Sequence, residues 1–412
     1  NRDDDSSSLG DWYVNKKKLP NGLKGICDKI NALGMSFGIW VEPEMLNVNS
    51  DLYRLHPDWA MDIPGCAHSE GRNQRILDLC NPEVTEYIID SMTKVFSSAN
   101  IAYVKWDMNR IFSDYYSKYL KAQGRPQGET AHRYVMALGR IMRTLTERFP
   151  HILFEGCAAG GNRLDLGILC YFPQIWASDN TDAVSRAYIQ EGLSYGYPMS
   201  TVSAHVSACP NHQTLRVTPL STRFNVAAFG ICGYECNLVD MSRAERSEIK
   251  TQIDIYKKWR HTMQFGSFYR QRTGNIHQWT VVDEEAGRAV GLIMQELVRA
   301  NTQNEEYYAA GLDPEAVYSF YNRPLKHNVK EFGDLINTVA PIHIRQGSLL
   351  HGMVAKFVTM PGETEKYELS GSMLMNCGVR LKQAFAATGF SEEVRHFPDF
   401  ASRLYFMEKI SD

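Results

Sequence analysis

The chain has 412 residues, 44% of them apolar and 22% charged, which is enough hydrophobic material for more than one core and excludes wholesale disorder. Its 44 basic and 47 acidic residues leave a net charge of −3, so there is no positive field to hold a nucleic acid or an anionic membrane surface. No uncharged apolar run approaches the ~20 residues that a membrane-spanning helix requires. Nine cysteines without a CxxC or CxxH pair read as free thiols of a reducing, cytoplasmic compartment, not as a zinc site. The opening Asn1-Arg2-Asp3-Asp4-Asp5 has no initiator Met and no signal pattern, and reads as the interior of a longer protein.

In chain order, Leu23, Ile26, Ile30 and Leu33 repeat at helical spacing up to Gly34, and 36–41 (SFGIWV) reads as a strand ending in a Pro-Glu turn. A short strand is predicted at 76–79. Val84, Tyr87, Ile88, Met92 and Val95 mark the next helix, followed by a strand at 102–106. A helix over 134–148 and strands at 152–155, 175–177, 199–203 and 227–231 continue the alternation. Seven strands interleaved with helices imply βαβ units and a parallel sheet. The order fits an eight-stranded (β/α) barrel lacking its first strand. No Gly-rich phosphate loop follows any strand, which weighs against a doubly wound sheet. After about residue 267 the texture changes. Alternating segments at 276–282 and 289–295 flank a hairpin turn, with further strands at 316–320, 357–360 and 403–408, as in a small antiparallel β domain.

Barrel enzymes carry their chemistry at the carboxyl ends of the strands. The polar residues at those ends are Glu42 and Glu44, Asp78, Lys105 with Asp107 and Asn109, Glu155 with Cys157, Asp179 with Asp182, and His205. Lys105 and Asp107 alternate with Trp106, so a strand puts both on one face. The residues alone leave a nucleophilic carboxylate and a buried structural ion pair as equal readings. Asp179 lies 72 positions beyond Asp107, about two βα units on. Paired carboxylates of this kind are what glycoside hydrolysis uses. Asp182 reads as the N-cap of the next helix. His205 and His212 lack an HxH or HExxH arrangement, so no metal is expected there. Trp40, Trp106 and Trp176 fall near strand ends, where they could stack on a sugar or pack the core.

Five segments in this order resemble the motifs of glycoside hydrolase family 36 α-galactosidases. They are 38–45 (GIWVEPEM), 105–110 (KWDMNR), 155–161 (EGCAAGG), 176–182 (WASDNTD), and 204–207 (AHVS) with 210–213 (PNHQ). The likeness covers nearly the whole chain. It implies a (β/α)8 TIM barrel over 1–266, its first strand missing, and a C-terminal antiparallel β-sandwich over 267–412. It also implies a retaining α-galactosidase that removes terminal α-D-galactosyl residues from oligosaccharides such as melibiose and raffinose. Residue by residue, it makes Asp107 the nucleophile and Asp179 the acid/base. Trp40, Arg72, Lys105, Asn109, Cys157 and Gly160 would line the galactose subsite. No cofactor or metal is implied, and the family likeness suggests a homo-oligomer such as a tetramer.

The chain departs from the family pattern at its start, where a large N-terminal β domain and a first strand ending in Asp-Asp-Gly-Trp are expected. Asp3, Asp4 and Asp5 do not stand in for that segment. Two other readings follow: a galactosyltransferase of the same superfamily, and a catalytically incomplete galactoside-binding fragment.

Overall fold

The computed structural model describes residues 2–299, 305–338, 340–382 and 396–410. The chain forms two compact units, Asn1–Asp179 and Asn180–Asp412.

In the first unit, four parallel strands are hydrogen-bonded in chain order: Phe37–Val41, Ile101–Trp106, Leu153–Gly156 and Gln174–Trp176. Helix Gly22–Ala32 precedes the first strand, and helices Pro82–Ser97, Thr130–Arg148 and Leu166–Leu169 lie in the three connections between strands. Helix Pro82–Ser97 begins where the Asn81 side chain accepts the Glu83 N–H, with Pro82 filling a first-turn position that needs no donor. It buries Val84, Ile88, Met92 and Phe96, while Thr130–Arg148 buries Tyr134, Leu138, Ile141 and Leu145. Both faces join one core with Val104, Trp106, Phe154 and Ile175 of the strands. Phe154 stacks on Phe172 at 5.2 Å. Burying each such side chain contributes roughly 1.5–3 kcal/mol.

The register decides which side chains meet. Trp40 lies opposite Lys105, Lys105 opposite Glu155, and Glu155 opposite Gln174, so these four form one row across one face. The ladder runs one residue past the strands, because Asp107 N–H donates to Val41 O (2.9 Å) and Cys157 N–H to Trp106 O (2.8 Å). Two residues along each strand, Glu42, Asp107, Cys157 and Trp176 make the next row on that face.

Several predicted strands are corrected. The strand expected at 76–79 is outside the parallel sheet: Arg75–Ile76 pairs antiparallel with Met45–Leu46. The chain has already turned back at Pro43, and Leu77 N–H closes on Glu44 O at 2.9 Å. In the second unit, 199–203 is a 3-10 turn (Met199–Thr201) followed by the strand Val202–Ser207. The segment 227–231 ends a helix, Leu220–Ala227, and the strand is Ile231–Glu235, parallel to Val202–Ser207. That helix is buried nearly all round, and a short apolar run does not distinguish a buried helix from a strand. Among the described residues, therefore, four parallel strands lie in the first unit and two in the second, where seven were expected.

The second unit continues with helix Arg243–Phe265, opened by a reciprocal Ser242–Glu245 capping box. Its antiparallel sheet has six strands in the order Lys366–Ser370, Val317–Asn322, Ser402–Lys409, Arg288–Gln295, Ile276–Asp283, Ser267–Thr273. The predicted hairpin is present as Ile276–Asp283 with Arg288–Gln295. The expected sandwich takes the form of this one sheet with two short ribbons, Glu306–Tyr307 with Val379–Arg380 and Lys326–Asn328 with Thr359–Pro361.

Candidate active site

Asp107 stands immediately after the strand Ile101–Trp106 and is held by three N–H donors. Its Oδ2 accepts from Trp40 Nε1 (3.1 Å) and Asn109 Nδ2 (2.5 Å), and its Oδ1 from the Met108 amide (2.8 Å). The carboxylate is thereby fixed in one orientation. Trp40 keeps 42% of its surface exposed, which leaves an aromatic face free beside Asp107. Cys157 packs against the same carboxylate. Burial, and then the charge of Asp107, push its thiol far above the usual range, so it is a neutral donor toward Asp107 and no nucleophile.

Asn109 is positioned in turn by Glu42, whose Oε1 accepts the Asn109 amide at 3.1 Å and whose Oε2 accepts from Gln74 Nε2 at 3.0 Å. Burial raises the pKa of Glu42, the Asn109 donors oppose the rise, and the charge of Asp107 adds to it. Gln74 closes a tight turn in which Arg72 (φ 55°) and Asn73 (φ 58°) both adopt the left-handed conformation. The Gln74 amide bonds to Gly71 O at 3.0 Å. Arg72 is exposed at the tip, and its charge acts on Glu42.

Lys105 corrects an expectation. Its ammonium pairs with Glu155 Oε1 at 3.0 Å, across the strands and not along its own strand to Asp107. The register places Glu155 directly opposite, which explains the choice. The same ammonium sits 4.1 Å from the Trp176 ring centroid, a cation–π contact. Gln174 Nε2 (2.9 Å) and the Tyr103 hydroxyl also donate to Glu155.

Asp179 follows the strand Gln174–Trp176, which is separated from that of Asp107 by the strand Leu153–Gly156, and its Oδ1 accepts from Trp176 Nε1 at 2.9 Å. The 157–161 turn presses against the stretch leading to it. Gly160 has φ +88°, and a Cβ there would lie 3.3 Å from the Asp179 amide nitrogen. At Gly161 a Cβ would come within 2.6 Å of the Ala177 carbonyl oxygen. Two glycines are needed because backbone meets backbone here.

The first unit thus contains all eight sequence-predicted site residues. Trp40, Asn109 and Cys157 each meet Asp107, and Lys105 and Asp179 share Trp176. Arg72 is linked to the group through the Gln74 turn and Glu42. Trp106 belongs to the core: it is fully buried, and its Nε1 donates to Glu44 Oε1 at 2.9 Å. Sequence reasoning missed Arg163 and Tyr134. Arg163 grips Glu44 with both terminal nitrogens (2.7 and 3.0 Å), and the Tyr134 hydroxyl donates to Glu44 Oε2 at 2.7 Å. A buried strand-end glutamate demanded a cation, but nothing in the local pattern pointed to one so distant in sequence. In the second unit Asp182 is the N-cap it was read as, accepting the Ser185 amide at 3.0 Å, and His205 pairs with Glu235 at 3.1 Å. All nine cysteines are free thiols. Among the described residues no helix is long and apolar enough to cross a membrane.

Comparison with known proteins adds the relatives of this arrangement. The family model for melibiase matches residues 1–266, and that for the glycosyl hydrolase family 36 C-terminal domain matches 276–407. The chain is 48% identical to the α-galactosidase AgaA of Geobacillus stearothermophilus over 320 residues, covering 77% of this chain and 44% of that protein. It is 46% identical to an α-galactosidase of Lactobacillus acidophilus, covering 77% and 43%. A crystal structure of a variant of AgaA with raffinose superposes with a TM-score of 0.82 at 39% identity, over all of this chain and 50% of that one. The α-galactosidase of Lactobacillus brevis gives 0.83 at 36% identity, over 100% and 49%. The chain spans about half the length of these relatives.

Proposed function

Because the chain belongs to glycoside hydrolase family 36, we propose that it is the catalytic part of a retaining α-galactosidase acting on terminal α-D-galactosyl residues of oligosaccharides of the raffinose and melibiose class. The observation that carries this reading is the immobilised carboxylate of Asp107, held by Trp40, Asn109 and the Met108 amide, with a second carboxylate, Asp179, two strands away. Asp107 attacks the anomeric carbon and forms a covalent galactosyl ester while Asp179 protonates the departing glycosidic oxygen. Asp179 then takes a proton from water, which opens the ester and releases galactose with its α configuration retained.

The remaining residues orient the sugar. The exposed face of Trp40 stacks on the galactose ring, and Asn109 keeps Asp107 turned toward the anomeric carbon. Lys105 and Arg72 donate to hydroxyls, while Cys157 and Gly160 shape the floor. The full reading is a (β/α)8 barrel over 1–266 without its first strand and a C-terminal β-sandwich over 267–412, working as a homo-oligomer in the cytoplasm. The extents of the two family models and the nine free thiols support it.

The test is hydrolysis of p-nitrophenyl α-D-galactoside with three proteins side by side. Asp107→Ala should lower kcat by at least about 10³-fold, and Asp179→Ala by about 10²–10⁴-fold, each with an unchanged circular dichroism spectrum. Near-normal turnover by either variant would overturn the assignment.

A further inference from the structure

Away from the strand-end carboxylates, the second unit brings together three side chains from two distant stretches of sequence. His327 lies in the short strand Lys326–Asn328, Glu331 in the 3-10 segment Val329–Thr338 that follows, and His396 in the approach to the strand Ser402–Lys409. One potential ligand atom from each lies within 4.8 Å of the other two. Glu331 Oε2 stands 3.2 Å from His327 Nδ1 and 3.7 Å from His396 Nε2. The ligand atoms of a tetrahedral zinc ion, with bonds of about 2.0–2.1 Å, stand about 3.3–3.4 Å apart. The two measured separations bracket that spacing.

A second observation concerns hydrogen bonding. The His327 and His396 side chains are buried, with 8% and 10% of their surface exposed. Nε2 of His327 and both ring nitrogens of His396 are buried without a hydrogen-bond partner among the described residues. Buried imidazole nitrogens are normally satisfied, so the His396 ring, without a partner at either nitrogen, calls for a ligand, and the hydrogen-bond contact of His327 Nδ1 with Glu331 Oε2 is the one an ion would replace. The backbone around His396 is held firmly: Arg403 Nη2 donates to His396 O at 2.9 Å, and the guanidinium is itself paired with Glu363. The charge of Arg403, which disfavours a positive charge at His396, is thereby offset by that of Glu363.

We propose that His327, Glu331 and His396 bind one divalent transition-metal ion, zinc by preference, through His327 Nδ1, Glu331 Oε2 and His396 Nε2. Two imidazoles and one carboxylate suit a borderline ion such as zinc, whereas calcium and magnesium take all-oxygen sites. Glu331 is 42% exposed, so solvent completes the coordination on its side. The ion is a structural clip, tying the Lys326–Thr338 stretch to the chain that enters the sheet strand Ser402–Lys409. Its binding energy becomes folding energy of the C-terminal domain.

The experiment titrates the full chain, stripped with a chelator, with Zn2+ followed by calorimetry and thermal unfolding. Co2+ is then used as a spectroscopic probe to separate this site from the nine thiols. The expected result is one equivalent per chain, a higher Tm with zinc, and a Co2+ spectrum without thiolate charge-transfer bands. His396→Gln and Glu331→Gln should each weaken binding at least tenfold and abolish the zinc-dependent rise in Tm. Their metal-free unfolding curves should match that of metal-free wild type, which separates a lost ligand from a misfolded domain. The proposal fails if the chain takes up no stoichiometric ion, if binding survives both substitutions, or if the Co2+ spectrum shows thiolate ligation.

Discussion

In the first unit the carboxylates of Asp107 and Asp179 stand at the carboxyl ends of parallel strands, addressed by neutral N–H donors from Asn109, Trp40 and Trp176. In the second unit, buried carboxylates and cations close on one another. Glu191 and Glu296 bracket His277 at 2.7 and 2.9 Å, and Glu363 is paired with Arg403. Neutral donors orient a carboxylate without cancelling its charge, which leaves that charge available to a substrate. A matched pair consumes it, and its value is structural. The first unit contains its own control in Glu44. Two residues from Glu42, it is sealed by Arg163, Trp106 and Tyr134, as a structural carboxylate should be.

That contrast can be broken most severely at Glu44. Glu44→Ala leaves Arg163 buried without its counter-charge and the Trp106 and Tyr134 donors unmatched. We expect a loss of about 3–5 kcal/mol in stability by urea unfolding, against a small change for Glu42→Gln. A smaller effect is expected at Gly161→Ala. The added methyl meets the Ala177 carbonyl oxygen at 2.6 Å, displaces the stretch leading to Asp179, and should cost about 1–3 kcal/mol in stability together with a fall in kcat. Gly196→Ala, where a Cβ meets nothing within 4 Å, is the matched control.

The subtlest expectation concerns pH. Burial disfavours a charged His277, but its hydrogen bonds to the Glu191 and Glu296 carboxylates outweigh it and raise its pKa above the usual value of 6.5. A raised histidine pKa adds stability that is fully present below the unfolded value and lost as pH rises through the folded one. Wild type should therefore lose stability as pH rises above about 6.5, and His277→Gln should flatten that slope in urea titrations at successive pH values.

The sequence made the order of elements legible wherever periodicity was long, as in the helices Pro82–Ser97 and Thr130–Arg148 and the hairpin Ile276–Asp283 with Arg288–Gln295. It failed at short apolar runs. The segment at 227–231 was read as a strand, although Leu220–Ala227 is helical and the strand begins at Ile231. The carboxylates were legible because a strand alternates faces, so Asp107 had to share the face of Lys105. Their partners were not, because register is a property of two strands: only pairing reveals that Lys105 faces Glu155. Arg163, reaching Glu44 from a separate turn, was beyond any local pattern.

The central claim is that Asp107 is the nucleophile. A 2-deoxy-2-fluoro-α-D-galactosyl fluoride, which forms the glycosyl ester faster than water removes it, would be incubated with the protein and the peptides mapped by mass spectrometry. The account predicts one galactosyl adduct, on the peptide containing Asp107, and none on Asp107→Ala. An adduct on Asp179 or on any other residue, or turnover of substrate with inversion of configuration, would contradict it.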